Sequence, residues 1–284
     1  MKFDTRAGIP IVVVGLGILA LWPGLALAVN YPVAASRLAQ GAKLACGTAW
    51  TCAQSLPRPV IPMPTQLWEG FLQLSWPLNT STIPYNALYT AGETCVGLLL
   101  ALVVGILTGT ALAFSRAFER LTLPWLVASQ NVPIIALAPV IAVLLGQVGV
   151  EGLLPKAIVS AYIAFFPLSI GVARGLRAVP PLALDLFHTY DARPWQIYGW
   201  LRWPNALPLI LTSLKVSVTM ALVGAMIAEI SIVSFAGLGP MILGRLQFSD
   251  TIGLWVIMIY AALIGIVLVQ GIGLLERLLG QRTR

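Results

Sequence analysis

Residues that could carry out chemistry are sparse in this chain. His188 is the sole histidine, the three cysteines lie far from it, and the acidic residues are scattered. An enzyme needs a nucleophile beside a base, or a cluster of metal ligands, and neither arrangement is visible. We therefore expect a chain that is not an enzyme and binds no cofactor or metal itself. His188 could sense pH, but we favour a simple polar contact for it.

The cysteines offer one covalent possibility. Cys46 and Cys52 lie in the polar stretch CGTAWTC, whereas Cys95 lies in an apolar run. Disulfides persist in oxidising compartments outside the cytoplasm. If this loop faces such a compartment, Cys46 and Cys52 can form a short-loop disulfide, an outcome that the sequence leaves open.

Polar and small side chains within apolar runs are further candidates. Ser213, Ser217, Ala221 and Ala225 recur at every fourth position and lead to Glu229. Small residues permit close helix packing or line a pathway, and a carboxylate at membrane depth usually faces a cavity or a partner. We take Ser217, Ala221 and Glu229 as pathway or gate candidates. The alternative for Glu229 is solvation near the outer interface.

A second polar group interrupts the apolar segment SQNVPIIALAPV. Gln130 and Asn131 are polar, and Pro133 and Pro139 each remove a backbone donor and favour a kink. Irregular backbone at membrane depth is tolerated where it lines a cavity or packs on protein. We therefore predict a pathway-lining role for Gln130, Asn131 and Pro133, with plain packing as the alternative.

These residues must be positioned by membrane-spanning helices. Only 10% of the 284 residues are charged and the mean hydropathy is +0.90, whereas soluble domains carry about 25% charged residues. A helix needs about 20 apolar residues to cross a bilayer. Six segments meet or approach that length: residues 9–29, 87–114, 121–145, 154–172, 208–233 and 251–275. The predicted class is an all-α integral membrane protein with six transmembrane helices.

The segment before residue 87 is expected to form a separate region. Residues 1–86 would hold an anchor helix and an extracytoplasmic segment, and residues 87–284 a core of five helices. The first span also resembles a signal peptide with a cleavage site at the ALA of residues 26–28, although we favour an uncleaved anchor. PMPTQLWEGFLQLSW, at residues 62–76, predicts a short interfacial helix or a loop packed on the outer helix ends.

Basic residues predict the orientation. With the N-terminus inside, eleven Lys and Arg residues fall on the inner side and five, Lys156 among them, on the outer side. Basic residues accumulate in cytoplasmic loops, so both termini are expected to be cytoplasmic. The same rule accounts for the net charge of +7, and we expect no nucleic-acid partner.

A polar elbow between the fourth and fifth apolar segments is the most distinctive stretch. Residues 184–208 read LDLFHTYDARPWQIYGWLRWPNALP. Pro194 divides two short predicted helices on the cytoplasmic side. Headgroup anchoring is one interpretation of its many aromatic rings, but so many in one segment favour a docking surface for a soluble partner.

The spacing in this elbow resembles the EAA loop of ABC-importer permeases. That pattern reads E-A-A, three residues, G, nine residues, I, one residue and L-P. Asp185 takes the glutamate position, Phe187 the second alanine position and Asp191 the glycine position; Leu201 takes the isoleucine position and Pro204 the final proline. NVPIIALAPVIAVLLG and PMPTQLWEGF resemble the nitrate/sulfonate/taurine/bicarbonate permease group. LLPKAIVSAYIAFFPLSIGVARGLRAV is most similar to its thiamine-precursor and riboflavin branch.

This resemblance implies a bacterial inner-membrane permease with the type I importer fold of the methionine importer. It implies two cytoplasmic ATPase subunits that bind ATP and Mg, a second permease copy (a homodimer), and an extracytoplasmic substrate-binding protein. The loop at about residues 180–204 would be the coupling helix. The implied coupling residues are Asp185, Phe187, His188, Tyr190, Asp191, Trp195, Leu201 and Pro204.

Other functions and substrates stay open at this point. The chain lacks a phosphate loop of the form G-x-x-x-x-G-K-[ST], so ATP hydrolysis would belong to a partner. A stand-alone channel or secondary transporter would be expected to carry more intramembrane charge than Glu93, Lys215 and Glu229. For the substrate we expect a small heterocycle, a thiamine pyrimidine precursor or riboflavin, with a small anion such as a sulfonate, taurine, nitrate or bicarbonate as the alternative.

Overall fold

The structure, a computed structural model, describes residues 5–41, 46–232 and 236–280. All regular elements in these ranges are helical, which confirms the all-α class. Their bounds are α1 Thr5–Ala39, α2 Ala49–Ser55, α3 Pro64–Ser75, α4 Ile83–Phe114, α5 Arg116–Ser129, α6 Ile134–Gln147, α7 Leu153–Arg177, α8 Pro181–Thr189, α9 Pro194–Gln196, a π-helical turn Ile197–Arg202, α10 Trp203–Ser231, α11 Leu238–Gln247 and α12 Thr251–Gly280.

Apolar helices long enough to cross a bilayer dominate the described residues. Five qualify: α1, α4, α7, the continuous helix Pro194–Ser231, and α12. Helices α5 and α6 pass the same test only as a pair, and they meet at a bend of 102°. The described chain therefore has five spans, or six if this bent pair counts as one, which agrees with the multi-pass architecture expected from the sequence.

The third span differs from the single kinked helix that we predicted over residues 121–145. Helix α5 ends at Ser129 and α6 starts at Ile134, with Pro133 as its N-terminal cap residue. Proline disfavours the helical backbone at the residue before it, which is consistent with the break between Ser129 and Ile134. Pro139, by contrast, lies within an unbroken α6.

The fifth span also starts earlier than predicted. We expected a short second elbow helix and then a separate span from residue 208, but one helix runs from Pro194 to Ser231. The π-helical turn lies just before Pro204, and the N–H of Trp203 donates to the carbonyl of Tyr198. Pro204, which has no N–H to donate, follows this π-helical turn after Trp203, and the helix continues through it.

The chain divides into two compact units. The first contains Met1–Ile83 and Ile242–Ile259, and the second contains Pro84–Met241 and Tyr260–Arg284. From the sequence we placed a domain boundary after residue 86 and assigned residues 242–259 to the core. That boundary stays a prediction.

In the first unit, α2 and the chain before α3 are fastened to α1. Cys46 and Cys52 form a disulfide, with Cα atoms 5.2 Å apart, and Cys52 packs in a small core with Ala34 of α1. The fully buried Asn30 side chain donates to the carbonyl of Ile61 at 2.8 Å and accepts from the N–H of Val60 at 2.9 Å. The predicted helix at residues 62–76 is present as α3. Its location in the membrane interface stays a prediction.

In the second unit, α7 is the central helix. Leu168, Val172 and Leu176 of α7 form a buried cluster with Ala206 and Ile210 of α10. Glycines allow this close approach, because a Cβ at Gly224 of α10 would lie 2.8 Å from the Cα of Ser160. Small residues at helix interfaces are the usual basis of such packing in membranes.

Candidate functional site

The elbow starts with α8 and a tight turn at Asp191. The N–H of Ala192 donates to the carbonyl of Phe187 at 3.0 Å, and that of Asp191 donates to His188 at 3.0 Å. These two hydrogen bonds define a Schellman turn, whose C′ residue adopts the left-handed conformation and is usually glycine. Asp191 has a φ of 51°, so it holds the left-handed backbone that glycine adopts without penalty, at the position where the EAA pattern carries glycine.

The second arm of the elbow begins at Pro194. Proline suits the first helical position because its missing donor is not needed there, and the side-chain oxygen of Gln196 accepts from the N–H of Arg193 at 2.7 Å. Trp195 and Trp200 then pack edge to face, with ring centroids 6.0 Å apart. The predicted division of the elbow at Pro194 is confirmed.

The two arms enclose an exposed aromatic groove. Its volume is 310 Å³, and its lining residues are Leu186, Phe187, Tyr190, Ala192, Gln196 and Trp200. Tyr190 is 78% exposed and Trp195, which packs against Trp200, is 60% exposed. Large apolar side chains held open to solvent in this way are typical of interaction surfaces.

The structure does not bring all the predicted coupling residues to the groove. Phe187 and Tyr190 line it and Asp191 forms its turn, whereas Asp185 and His188 are exposed elsewhere on α8. Leu201 and Pro204 are partly buried at the base of the second arm. The partial burial of Leu201 and Pro204 therefore fits a supporting role in the elbow better than direct contact with a partner.

Two arginines fasten the helices next to the elbow. Arg177 at the end of α7 donates to both carboxylate oxygens of Glu119 on α5 at 2.7 Å, and it also donates to the carbonyl of Leu112. Arg202 of the π turn donates to the carbonyl of Leu176 at 2.9 Å and lies over the ring of Phe114. The elbow is thus anchored to α7 and α4 rather than being a free loop.

The pathway candidates fall into two separate places. Gln130, Asn131 and Pro133 all lie at the break between α5 and α6, where both polar side chains are accessible. Ser217 and Ala221, by contrast, are fully buried, and the carbonyl of Ala221 accepts from the Ser160 hydroxyl of α7 at 2.7 Å. Packing therefore accounts for these two residues in this conformation, and their pathway role stays a prediction.

Glu229 holds the start of α11. Its carboxylate accepts from the Thr90 hydroxyl at 2.6 Å and from the N–H of Gly239 at 2.6 Å. Thr90 in turn accepts from the N–H of Leu238, and Asn86 accepts from that of Gly237. Glu229 is 1% exposed, so the alternative of solvation at the interface is wrong. Side chains from α4 and α10 thus satisfy backbone donors at the N-terminus of α11.

A buried ion pair next to this cluster was missed from the sequence. The Nζ of Lys156 on α7 lies 2.7 Å from a carboxylate oxygen of Glu93 on α4, and the two side chains are 3% and 0% exposed. Lys156, which we counted among the outer-side charges, is therefore buried rather than solvated, and the side of the membrane on which it lies stays a prediction. Glu93 could have pointed to this pair, because a carboxylate inside an apolar segment usually needs a partner. Glu93 lies in the segment 87–114, and Lys156 is a basic residue in the segment 154–172.

Within the described residues, no group of three or more His, Cys, Asp or Glu side chains lies close enough together to hold a metal ion. The elements instead define a polytopic helical membrane protein with an exposed aromatic elbow. The sequence model of binding-protein-dependent transport system inner membrane components matches residues 97–284. The chain therefore belongs to that family.

Curated relatives include permeases for several kinds of solute. A probable ABC transporter permease of Haemophilus influenzae is 35% identical over 48% of this chain and 54% of its own. A formylaminopyrimidine transport permease of Halalkalibacterium halodurans is 32% identical over 60% of this chain and 65% of its own. A riboflavin transport system permease of Chloroflexus aurantiacus is 32% identical, over 59% and 60%. The chain thus spans a little over half to just under two thirds of the length of these relatives.

Among solved structures, the inward-facing methionine ABC transporter contains a chain with the same fold. The two superpose with a TM-score of 0.58 over 78% of this chain and all of that chain, at 18% sequence identity. This likeness confirms the predicted type I importer permease fold.

Proposed function

We propose that this chain is the transmembrane permease subunit of an ATP-driven ABC importer. The exposed aromatic groove of the elbow, formed at the positions of the EAA pattern, is the observation that carries the proposal. Family membership supports it, because the family description specifies binding-protein-dependent transport. The permease forms the substrate path, and a separate ATPase that binds ATP and Mg supplies the energy through the elbow.

The proposed assembly contains two copies of this permease, two ATPase subunits and one substrate-binding protein. It lies in a bacterial inner membrane, with the elbow and both termini in the cytoplasm. The disulfide Cys46–Cys52 supports this orientation, because disulfides persist in oxidising compartments outside the cytoplasm and the proposed orientation puts the segment between α1 and α3 there. The terminal residues 1–4 and 281–284 lie outside the described residues.

For the substrate we propose a small heterocycle such as a thiamine pyrimidine precursor or riboflavin. Relatives named for formylaminopyrimidine and riboflavin transport support this class. The alternative is a small anion, since other relatives are named for aliphatic sulfonate and bicarbonate transport. Gln130 and Asn131, the accessible polar residues at the α5–α6 break, suit a neutral polar solute.

Transport by the reconstituted complex tests this function. The permease, its ATPase and its binding protein are placed in proteoliposomes, and uptake of labelled pyrimidine, riboflavin and sulfonate is measured with and without ATP. We expect uptake of one heterocycle that requires both ATP and the binding protein. Uptake that proceeds without ATP would instead identify a channel or secondary transporter. ATP-dependent uptake of sulfonate alone would keep the importer and reject the heterocycle.

A further inference from the structure

A second cavity lies beside the elbow, and its lining is strongly basic. It has a volume of 550 Å³ and is lined by the end of α4, the start of α5, the end of α7, α8 and the π turn. Four of its lining residues are arginines and one is a glutamate, a formal excess of three positive charges; the lining residues that carry the inference are Arg116, Glu119, Arg120, Arg177 and Arg202.

The four arginines are not equivalent. Arg177 is paired with Glu119, and Arg202 donates to a backbone carbonyl. The side chains of Arg116 and Arg120 make no hydrogen bond or ion pair within the described ranges, although the charge of Glu119 lies near them. They are one turn apart on α5 and both are exposed, so their charges point to a ligand rather than to the fold.

The surroundings of this basic cavity are apolar on one side. Phe114 at the end of α4 lines it, and Leu121 and Trp125 come after Arg120 along α5; the three side chains are 54%, 73% and 77% exposed. No residue of α5 is buried. A basic cavity that continues into an exposed apolar surface matches an amphiphile with an anionic head and a hydrocarbon tail.

We propose that this cavity binds the phosphate headgroup of an anionic phospholipid of the inner leaflet. Basic pockets between transmembrane helices on the cytoplasmic side are suited to such headgroups. The assignment to the inner leaflet rests on the proposed function, because that function places the elbow in the cytoplasm. The bound lipid joins α5 to α8, and so contacts both the bent span and the first arm of the elbow.

Lipid retention by the purified permease–ATPase complex tests this proposal. The complex is reconstituted in nanodiscs of mixed phosphatidylglycerol and phosphatidylcholine, extracted into mild detergent, and analysed by native mass spectrometry. The double variant Arg116→Gln/Arg120→Gln removes only the two unpaired charges. The matched control is Arg174→Gln. Arg174 is an exposed arginine in the last turn of α7, as Arg177 is, but it does not line the cavity.

We expect retained phosphatidylglycerol to fall about fivefold for each arginine removed, while the control retains it and phosphatidylcholine binding does not change. Equal retention by the double variant, or an equal loss in the Arg174→Gln control, would overturn the proposal. Displacement of the lipid adduct by millimolar inorganic phosphate would identify a free-anion site instead. Loss of the ATPase subunits with unchanged lipid would assign the cavity to an acidic partner surface.

These outcomes are separate from those of the proposed function. If no ATPase binds any version of the permease, the importer assignment fails, but lipid retention by the permease alone still tests the cavity. If the ATPase binds and the double variant keeps its lipid, only the lipid site fails.

Discussion

Asp191 illustrates how a single departure from a family pattern is accommodated. Its φ of 51° places it in the left-handed region, which a residue with a Cβ enters at a cost of roughly 1–2 kcal/mol. Aspartate is among the few such residues that tolerate this conformation. Aspartate can therefore occupy this turn in the conformation that a glycine would adopt freely.

Replacing Asp191 tests this explanation. Asp191→Gly is expected to fold as well as the parent or to raise its melting temperature slightly, because glycine adopts positive φ without penalty. Asp191→Val is expected to lower stability by about 1–2 kcal/mol, since a β-branched residue is a poor fit to this region. Thermal unfolding of the purified complex, read at the tryptophans of the elbow, measures both. Equal effects of the two replacements would show that the turn is not strained.

The buried pair Glu93–Lys156 is a second residue-scale feature with a clear consequence. Lys156→Met leaves the Glu93 carboxylate buried without its cation, and breaking one side of a buried ion pair typically costs about 3–5 kcal/mol. We expect a severe loss of folded protein in fluorescence-detected size-exclusion chromatography.

The double variant Glu93→Leu/Lys156→Met provides the control. It removes both charges together, so we expect it to recover most of the folded fraction. A double variant as unstable as Lys156→Met alone would mean that shape rather than charge dominates this position.

At the scale of elements, the glycines of α4 allow α7 to pack closely against that helix. A Cβ at Gly97 would lie 2.9 Å from the backbone carbonyl oxygen of Ala157, closer than normal contact, whereas a Cβ at Gly92 in the same helix meets nothing within 4 Å. Gly105 and Gly109 face α7 in the same way. These two glycines are four residues apart, a GxxxG spacing that lets helices approach closely in membranes, and here it serves the packing of α4 on α7.

Alanine at these two glycines gives a matched comparison. Gly97→Ala must displace α7 or α4, and overpacking of this kind costs about 1–3 kcal/mol. Gly92→Ala is expected to be neutral or slightly stabilising, because alanine is the better helix former. The melting temperatures of the two variants measure the difference. A Gly92→Ala variant that lost as much stability as Gly97→Ala would contradict the helix contact.

The sequence predicted the apolar helices well and their interruptions poorly. Hydrophobic runs specify where a helix crosses a bilayer, so the positions of α4, α7 and α12 followed directly. A proline specifies only a lost donor. Whether the helix then breaks, as at Pro133, or continues, as at Pro139 and Pro204, depends on tertiary contacts that replace the missing bond.

For the molecule as a whole, the family pattern located the elbow, but the chemistry between helices was not predictable. The Glu93–Lys156 pair and the contact between Glu229 and Gly239 join residues 63 and 10 positions apart. Their formation depends on how α4, α7 and α10 rotate against each other. A single sequence shows which polar residues lie in apolar segments, where burial is unfavourable, but it does not show which of them are in contact.

In the proposed function, the elbow transmits the movement of the ATPase to the permease. Trp195 is the most direct probe, because it is 60% exposed and packs against Trp200, which lines the groove. Truncating an aromatic anchor in an interface commonly costs about 2 kcal/mol or more, which corresponds to about thirtyfold weaker binding. Trp50 of α2 serves as the control because it is 56% exposed and lies far along the chain from the elbow.

The decisive measurement is substrate-stimulated ATP hydrolysis by the reconstituted importer carrying Trp195→Ala or Trp50→Ala. We predict that Trp195→Ala loses the stimulation and binds the ATPase about thirtyfold more weakly, while Trp50→Ala behaves as the parent does. Full stimulation and normal ATPase affinity in Trp195→Ala would contradict a coupling role for the elbow.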